Sequence, residues 1–575
     1  MKYQRTEAYS SARQFRTRGY VVAALFSATA AALIARDFYL QLIDDRYLQR
    51  KGQNATTRIV PVVARRGTIY DRNGEPLAVS EPVDTLVLDV VEMHKAGFDD
   101  SLPVLAQALH IDPNVLESHV TASPDNHHLI LKPRMDPDDA ARVTALHFPG
   151  LITERAYKRY YPAGEVTGHL LGMTDFNDKG QEGLEFGFDS VLAGEDGLKR
   201  VVTDGKGRVV AEAESRHTMR PGQDLYTSID LRIQYLAYRE LKAAVQEFGA
   251  KAGSVIVVDA RTGEVLAEAV QPMFNPNDRE HGGRNYRNIA MLDTMEPGST
   301  FKSFWVAAGL ETGKLKTDTI IDTGPGYFRV ADKLLKDEHP IGKATLALAL
   351  AKSSNVALAH IGLMLNRESV YTMLSNLGFG KVSDTHYPAE AGGRLTHFSR
   401  WKDIDVATMA HGYSVSVTPF QLVSAYTTIA AGGVRRPLTF RRLDGSPPAG
   451  TQVMSQRTAR DLTHMLESVV TEGTAKKAQV RGYTIAGKTG TVYKVVNGAY
   501  TSKNRALFAG MVPASDPRLV TLVVIDEPMT RLHQGGDVAA PVFSSIMTGA
   551  LCLLSVRPDE ESRISTQLVQ LEEPQ

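Results

Sequence analysis

Three short stretches of this chain carry residue types that can act on one another. They are Ser299-x-x-Lys302 in MEPGSTFKSFWVAAGL, Ser353-x-Asn355 in ALALAKSSNVALAHIG, and Lys488-Thr489-Gly490-Thr491 in GYTIAGKTGTVYKVV. A serine hydroxyl is a poor nucleophile until a base takes its proton, and a lysine can be that base if burial or a nearby cation lowers its pKa. Pro297-Gly298 precedes an apolar helical run, so Ser299 falls in the first turn of a helix and Lys302, three residues on, shares its face. That helix N-terminus also offers backbone N–H groups to a developing oxyanion. Taken alone, S-x-x-K is a weak signal that a capped helix with an exposed lysine explains better. The polar break at Ser353-Ser354-Asn355 lies inside a helical region, where a hydroxyl and a carboxamide could point into a cleft.

The third stretch has a competing reading. GYTIAGKT, from Gly482 to Thr489, satisfies the phosphate-loop pattern G-x-x-x-x-G-K-[ST]. A phosphate loop must pass from a strand into a helix whose N-terminus faces the anion. Here the chain continues as TGTVYKVVNGAY, rich in β-branched residues and tyrosine, which is strand chemistry. No nucleotide is expected.

The elements that must position these groups are an α/β mixture. LRIQYLAYRELKAAVQEF reads as a helix, and SVIVVDA and GEVLAEAV as a strand pair turning at Arg261-Thr262-Gly263. Apolar helical segments occupy about 300–312, 343–365 and 420–431. RALFAGMVPA and RLVTLVVIDEP read as neighbouring strands joined by Ser515-Asp516-Pro517. Upstream, 58–91 alternates β-rich stretches with the turn DRNGEP, and 100–150 carries helical spacing punctuated by Pro and Asp. The polar stretch 211–224, ending in Pro-Gly, is the best internal boundary.

The chain has 575 residues, 43% hydrophobic and 23% charged, enough for two or more domains. Lys+Arg and Asp+Glu each number 65, so no basic field argues for nucleic acid. Five cations (Lys2, Arg5, Arg13, Arg16, Arg18) precede the uncharged YVVAALFSATAAALIA, Tyr20–Ala35, and FYLQLI continues the apolar stretch beyond Arg36-Asp37. This is the layout of a membrane anchor with a cytoplasmic N-terminus. The rival is a signal peptide cleaved near Ala28–Ala32. The one cysteine, Cys552, excludes an internal disulfide, and in GALCLL it reads as a buried small apolar residue. The histidines, His127-His128 included, lack ligand spacing, so no metal or other cofactor is expected.

The order and spacing of the three motifs match the S-x-x-K, S-x-N, K-T-G set of the penicillin-recognising serine acyl transferases. Over nearly its whole length the chain resembles a class B penicillin-binding protein, the division-type (FtsI-like) peptidoglycan D,D-transpeptidase of Gram-negative bacteria. ARRGTIYDRNGEPLAVS (64–80), YPAGEVTGHLLG (161–172) and GQEGLEFGFDSVLAGEDG (180–197) resemble that family's pedestal motifs, and SVTPFQLVSAY and GGDVAAPVF are similarly placed in the second half. The resemblance implies an α+β multidomain chain: a cytoplasmic tail (1–19), a transmembrane anchor (20–43), an elongated β-rich periplasmic pedestal (44–220), a β-lactamase-like transpeptidase domain with a sheet flanked by helices (221–556), and a disordered tail (557–575). Arg66 and Asp71 read as structural residues of the pedestal.

By that resemblance Ser299 attacks the penultimate D-alanine carbonyl of a stem peptide and Lys302 takes its proton. Ser353, assisted by Lys488, relays a proton to the leaving amine, and Asn355 orients Lys302 and the substrate amide. Thr489 and Thr491, flanking Gly490, hold the terminal carboxylate, and the N–H groups of Ser299 and Thr491 form the oxyanion hole. β-Lactams would acylate the same serine. Implied partners are the inner membrane, peptidoglycan stems, an FtsW-like glycan polymerase and other divisome proteins, with a role in septal cross-linking. The chain departs from the family pattern at Gly412-Tyr413-Ser414 (usually GYG), at Val492 (usually Ala) and at Leu532-His533-Gln534, where a tyrosine pair is common. Rival functions are a D,D-carboxypeptidase or β-lactamase using the same acylation, and a non-catalytic scaffold or β-lactam sensor.

Overall fold

The computed structural model describes residues 4–42, 57–203, 209–278, 286–383, 385–496 and 498–560. Residues 1–3 of the expected cytoplasmic tail, residue 43 of the anchor and 561–575 of the expected disordered tail lie outside the described residues. The N-terminal segment is one helix, Gln4–Leu42, unbroken through Arg36 and Asp37. Within the 26-residue stretch Arg16–Gln41 an 18-residue run has a mean hydropathy of 1.6 and is not buried against the rest of the protein. At 1.5 Å per residue the whole stretch is about 39 Å, longer than the roughly 30 Å of a bilayer core.

The next unit is built from two sheets. Thr57–Val62, Gly197–Thr203 and Val209–His217 form an antiparallel ladder. In the other, the long strand Pro76–Leu88 pairs with Leu129–Met135, Leu151–Tyr160 and Ile69–Tyr70. Short helices pack on this second sheet around a small core of Leu86, Leu88, Met93, Leu105, Leu109 and Leu116. Their starts follow from the Asp-Pro punctuation: Asp112 and Asp136 each accept an N–H two residues on, while Pro113 and Pro137 fill the first helical position, where no N–H is needed. Arg66 is structural, as its sequence context indicates. It bonds Glu185 at 2.7 Å and Asp189 at 2.6 Å, and Arg159 bonds the other oxygen of Glu185 at 2.6 Å, with Arg66, Arg159 and Glu185 almost fully buried. Such a network fixes geometry more than it adds stability, since each charge has lost its water.

The two units meet intimately. Asp71 turns DRNGEP by accepting the N–H groups of Asn73 and Glu75 and also accepts from Leu231, the first residue of the helix Leu231–Glu247. Leu225–Tyr226, just past the polar stretch 211–224, pairs in parallel with Ile69–Tyr70. Ile69, Leu77, Leu170 and Leu184 join the same hydrophobic cluster as the central sheet.

That central sheet is antiparallel in the order Val265–Gln271, Ala252–Asp259, Leu519–Asp526, Ala499–Val512, Ala486–Val496. Every residue of Ala252–Asp259 is buried, so both faces are covered. The covering helices are Leu231–Glu247, Gly535–Leu553 and Pro419–Ala430. Ala486–Val496, which carries the K-T-G stretch, is the edge strand and does not enter a helix, so the phosphate-loop geometry is absent. One expectation is corrected: Cys552 is exposed, not buried. Ala550 and Leu551 face the core, and the next step of the helix turns Cys552 outward beside Leu231 and Tyr235.

Candidate active site

Ser299 sits in a single 3-10 turn, Gly298–Phe301, that leads directly into the helix Lys302–Glu311. The turn is clamped from several sides. Gly298 N donates to Gly412 O at 3.0 Å, Thr300 Oγ1 donates to Pro297 O at 2.6 Å, and Tyr426 OH donates to Thr300 O at 2.8 Å. Gly412 has φ +90, and a Cβ there would lie 1.9 Å from Gly298 O. From the other side the edge strand approaches so closely that a Cβ on Gly490 would meet Thr300 Cγ2 at 3.1 Å. Gly490 therefore serves close approach between the Ser299 turn and the K-T-G strand.

The apolar run 343–365 splits into two helices, Leu346–Ala351 and Asn355–Met364. Between them Ser353 adopts φ +59, and Ser354 caps the second helix by accepting Ala357 N. The break aims Ser353 and Asn355 at Lys302. Lys302 Nζ donates to Ser353 O at 2.5 Å and Asn355 Oδ1 at 2.8 Å and lies 3.1 Å from Ser353 Oγ. Lys488 Nζ lies 3.0 Å from the same Oγ and donates to Thr489 O at 3.2 Å. Both lysines are fully buried. Burial pushes the Lys488 ammonium down to about 7. Burial, reinforced by the Lys488 charge, holds Lys302 well below the usual ammonium value, while Asp337 pulls the other way.

Ser299, Ser353, Asn355, Thr489 and Thr491 line one cleft of about 480 Å³. Thr489 Oγ1 is 2.6 Å from Thr474 Oγ1, and Thr491 Oγ1 accepts Gly535 N at 3.1 Å, so a row of hydroxyls lies along the strand edge. All the expected site residues are thus brought together, the fully buried Lys302 and Lys488 through Ser353. The departures border the same space. Ser414 stands at φ +62, the region glycine favours, and its N–H bonds Glu296, which also accepts from Tyr500 OH at 3.1 Å. Val492 is buried against Gly298, and His533 and Gln534 line the cleft mouth.

Several groups that organise this site carry no motif. Asp337 Oδ1 accepts Asn355 N at 2.6 Å and Val356 N at 2.9 Å, and its Oδ2 accepts Ser354 Oγ at 2.7 Å. His411, buried beside Tyr413, donates Nδ1–H to Ala407 O at 2.8 Å; burial and the Lys302 charge push it down to about 3, so it is neutral. The one sequence signal for Asp337 was an acidic residue in a polar connection, which is too common to single out.

Comparison with known proteins gives two family matches: a penicillin-binding protein transpeptidase domain over residues 253–548 and a penicillin-binding protein dimerisation domain over 61–227. The peptidoglycan D,D-transpeptidase FtsI of Escherichia coli is 38% identical over 535 residues, covering 92% of this chain and 90% of that protein. The probable peptidoglycan D,D-transpeptidase PbpC of Pseudomonas aeruginosa is 36% identical over 545 residues, 94% of this chain and 96% of that one. Among solved structures, penicillin-binding protein 3 of Mycobacterium tuberculosis in complex with aztreonam superposes with a TM-score of 0.68 at 26% identity, covering 87% of this chain and 98% of that one.

Proposed function

The chain belongs to the penicillin-binding proteins that join a dimerisation domain to a transpeptidase domain, and from that premise we propose that it is a serine D,D-transpeptidase that cross-links peptidoglycan stems during septal wall synthesis and is acylated by β-lactams. The observation that carries this reading is the convergence of Lys302 and Lys488 on Ser353 Oγ in the cleft that holds Ser299.

Neutral Lys302 has two N–H groups. Ser353 O and Asn355 Oδ1 can only accept, and they take both, leaving the nitrogen lone pair for a hydroxyl proton. Ser299 Oγ bonds to the penultimate D-alanine carbonyl carbon as its proton passes to Lys302. The amide bond to the terminal D-alanine then breaks as Ser353, backed by Lys488, delivers a proton to the leaving nitrogen. Thr489 and Thr491, with Lys488 behind them, receive the terminal carboxylate, and the N–H groups of Ser299 and Thr491 stabilise the oxyanion. The unpaired edge of Ala486–Val496 suits an extended stem peptide. An amine from a neighbouring stem attacks the resulting ester, gives up its proton along the same path, and frees Ser299.

We take 44–220 as the pedestal and 221–556 as the catalytic unit, with Leu225–Tyr226 paired back onto the pedestal sheet. The apolar helix Arg16–Gln41 anchors the chain, with a cytoplasmic N-terminus and the catalytic unit outside the inner membrane, close to a nascent glycan and to an FtsW-like polymerase of the divisome. Intact-mass measurement with a fluorescent penicillin tests the acylation. A stable one-to-one adduct on the wild type that is absent from Ser299→Ala is expected. An adduct that survives in Ser299→Ala, or one released within seconds as in a β-lactamase, would contradict the reading.

A further inference from the structure

Two walls of the Ser299 cleft touch through a pair of side chains. Gln534 Nε2 donates to Glu338 Oε1 at 2.9 Å, and both residues line the cleft with Ser299, Asn355 and Thr491. Each has a rigid root. Gln534 precedes the helix Gly535–Leu553, and its carbonyl accepts the N–H groups of Asp537 and Val538 at 3.0 Å. The next residue, Gly535, bonds Thr491 and packs so tightly that a Cβ would lie 2.5 Å from Gly490 O, which pins the root to the K-T-G strand. Glu338 follows Asp337, itself held by the Ser354 hydroxyl and the N–H groups of Asn355 and Val356. Both residues are exposed, so the link can open without moving either wall.

We propose that Gln534 and Glu338 form a clasp across the acyl-donor end of the cleft, and that Glu338, once released, selects donors by the charge they carry beyond the acylated carbonyl. This rests on the reading of Ser299 as the acylated nucleophile. With the donor carboxylate at Thr489 and Thr491, the rest of the donor leads away past Asn355 toward the mouth that the clasp spans. Among the charged groups of that lining, Asp337 is engaged by Ser354 and the helix N–H groups, and Lys352 by Glu472 O at 2.9 Å. Lys336 and the two histidines, His339 and His533, complete it. A carboxylate brought beside Glu338 meets a like charge within a cleft, whereas an ammonium meets an acceptor. The pair thus acts both as a gate and as a discriminator.

Acylation rate constants for benzylpenicillin, ampicillin and carbenicillin test this, since the three share one nucleus and carry a neutral, an ammonium and a carboxylate side chain. In Glu338→Gln the carbenicillin-to-ampicillin ratio should rise by about fivefold or more, the benzylpenicillin rate staying within about twofold. In Gln534→Ala all three rates should rise together by about two- to tenfold with their ratios unchanged. An unchanged ratio in Glu338→Gln overturns the selection, and unchanged or lower rates in Gln534→Ala overturn the clasp. Failure of the wild type to acylate with any of the three would instead strike the underlying reading.

Discussion

Lys302 and Lys488 reach a single hydroxyl, Ser353 Oγ, from 3.1 and 3.0 Å. Two buried ammonium groups around one oxygen repel each other, so the pair works with one proton fewer than its chemistry nominally allows. In the proposed mechanism Lys302 is neutral when it accepts the Ser299 proton, and Lys488 is charged when it supports proton delivery by Ser353.

The acylation rate should therefore follow a bell in pH. The acid limb reports protonation of Lys302, and the alkaline limb begins near 7, where Lys488 loses its proton. Stopped-flow acylation by a chromogenic cephalosporin between pH 5 and 10, run beside Lys488→Met, checks this. The variant should be slower by about 10²- to 10⁴-fold and should lack the alkaline limb.

Asp337 touches neither lysine yet holds Ser354, Asn355 and Val356 in place. It also raises the basicity of Lys302. Asp337→Ala should cost about 1.5–3 kcal/mol of stability for the lost charged hydrogen bonds and slow acylation. Because the carboxylate charge is removed, the acid limb of the pH profile should shift to lower pH. A merely structural role would leave that limb in place.

Gly412 tests the clamp on the Ser299 turn. Alanine there meets Gly298 O at 1.9 Å and must also hold φ +90, whereas Gly74, at φ +94, has nothing within 4 Å of the added carbon. Thermal melts should show Gly412→Ala costing upwards of about 3 kcal/mol and Gly74→Ala about 1 kcal/mol. Only the first should depress acylation.

Glu268 lies at the junction of the two units, almost fully buried. Around it are the Asn288 amide and the Tyr387 hydroxyl, both bonded to His169 O. Burial raises its pKa from 4.5 to about 7. Between those values the folded protein binds a proton that the unfolded chain has released, so this contribution is fully present below 4.5, is lost as pH rises toward 7, and is flat above. Urea unfolding at pH 4 to 8 should show Glu268→Gln matching the wild type at the acid end and exceeding it at pH 8 by up to about 3 kcal/mol.

The residues that the fold gathers at the Ser299 cleft were legible in the sequence because the proposed chemistry demands particular residue types at short spacing, on a helix's first turn, at a helix break and on a strand. The strand pairs around Arg261–Gly263 and Ser515–Pro517, and the Asp-Pro helix starts, were legible for the same local reason. Groups that meet only through the fold were not. Asp337 reaches the S-x-N turn from a connection between short strands, and Thr474 reaches Thr489 from beyond a helix end. Cys552 was misread because an apolar neighbourhood along the chain does not say which way one helical position faces.

The most direct test of the central claim offers the purified full-length chain a donor thioester that mimics a D-alanyl stem, together with a D-amino acid acceptor. The account predicts an acceptor-linked product that grows with acceptor concentration and disappears in Ser299→Ala. Hydrolysis of the donor with no acceptor-linked product at any concentration would contradict it.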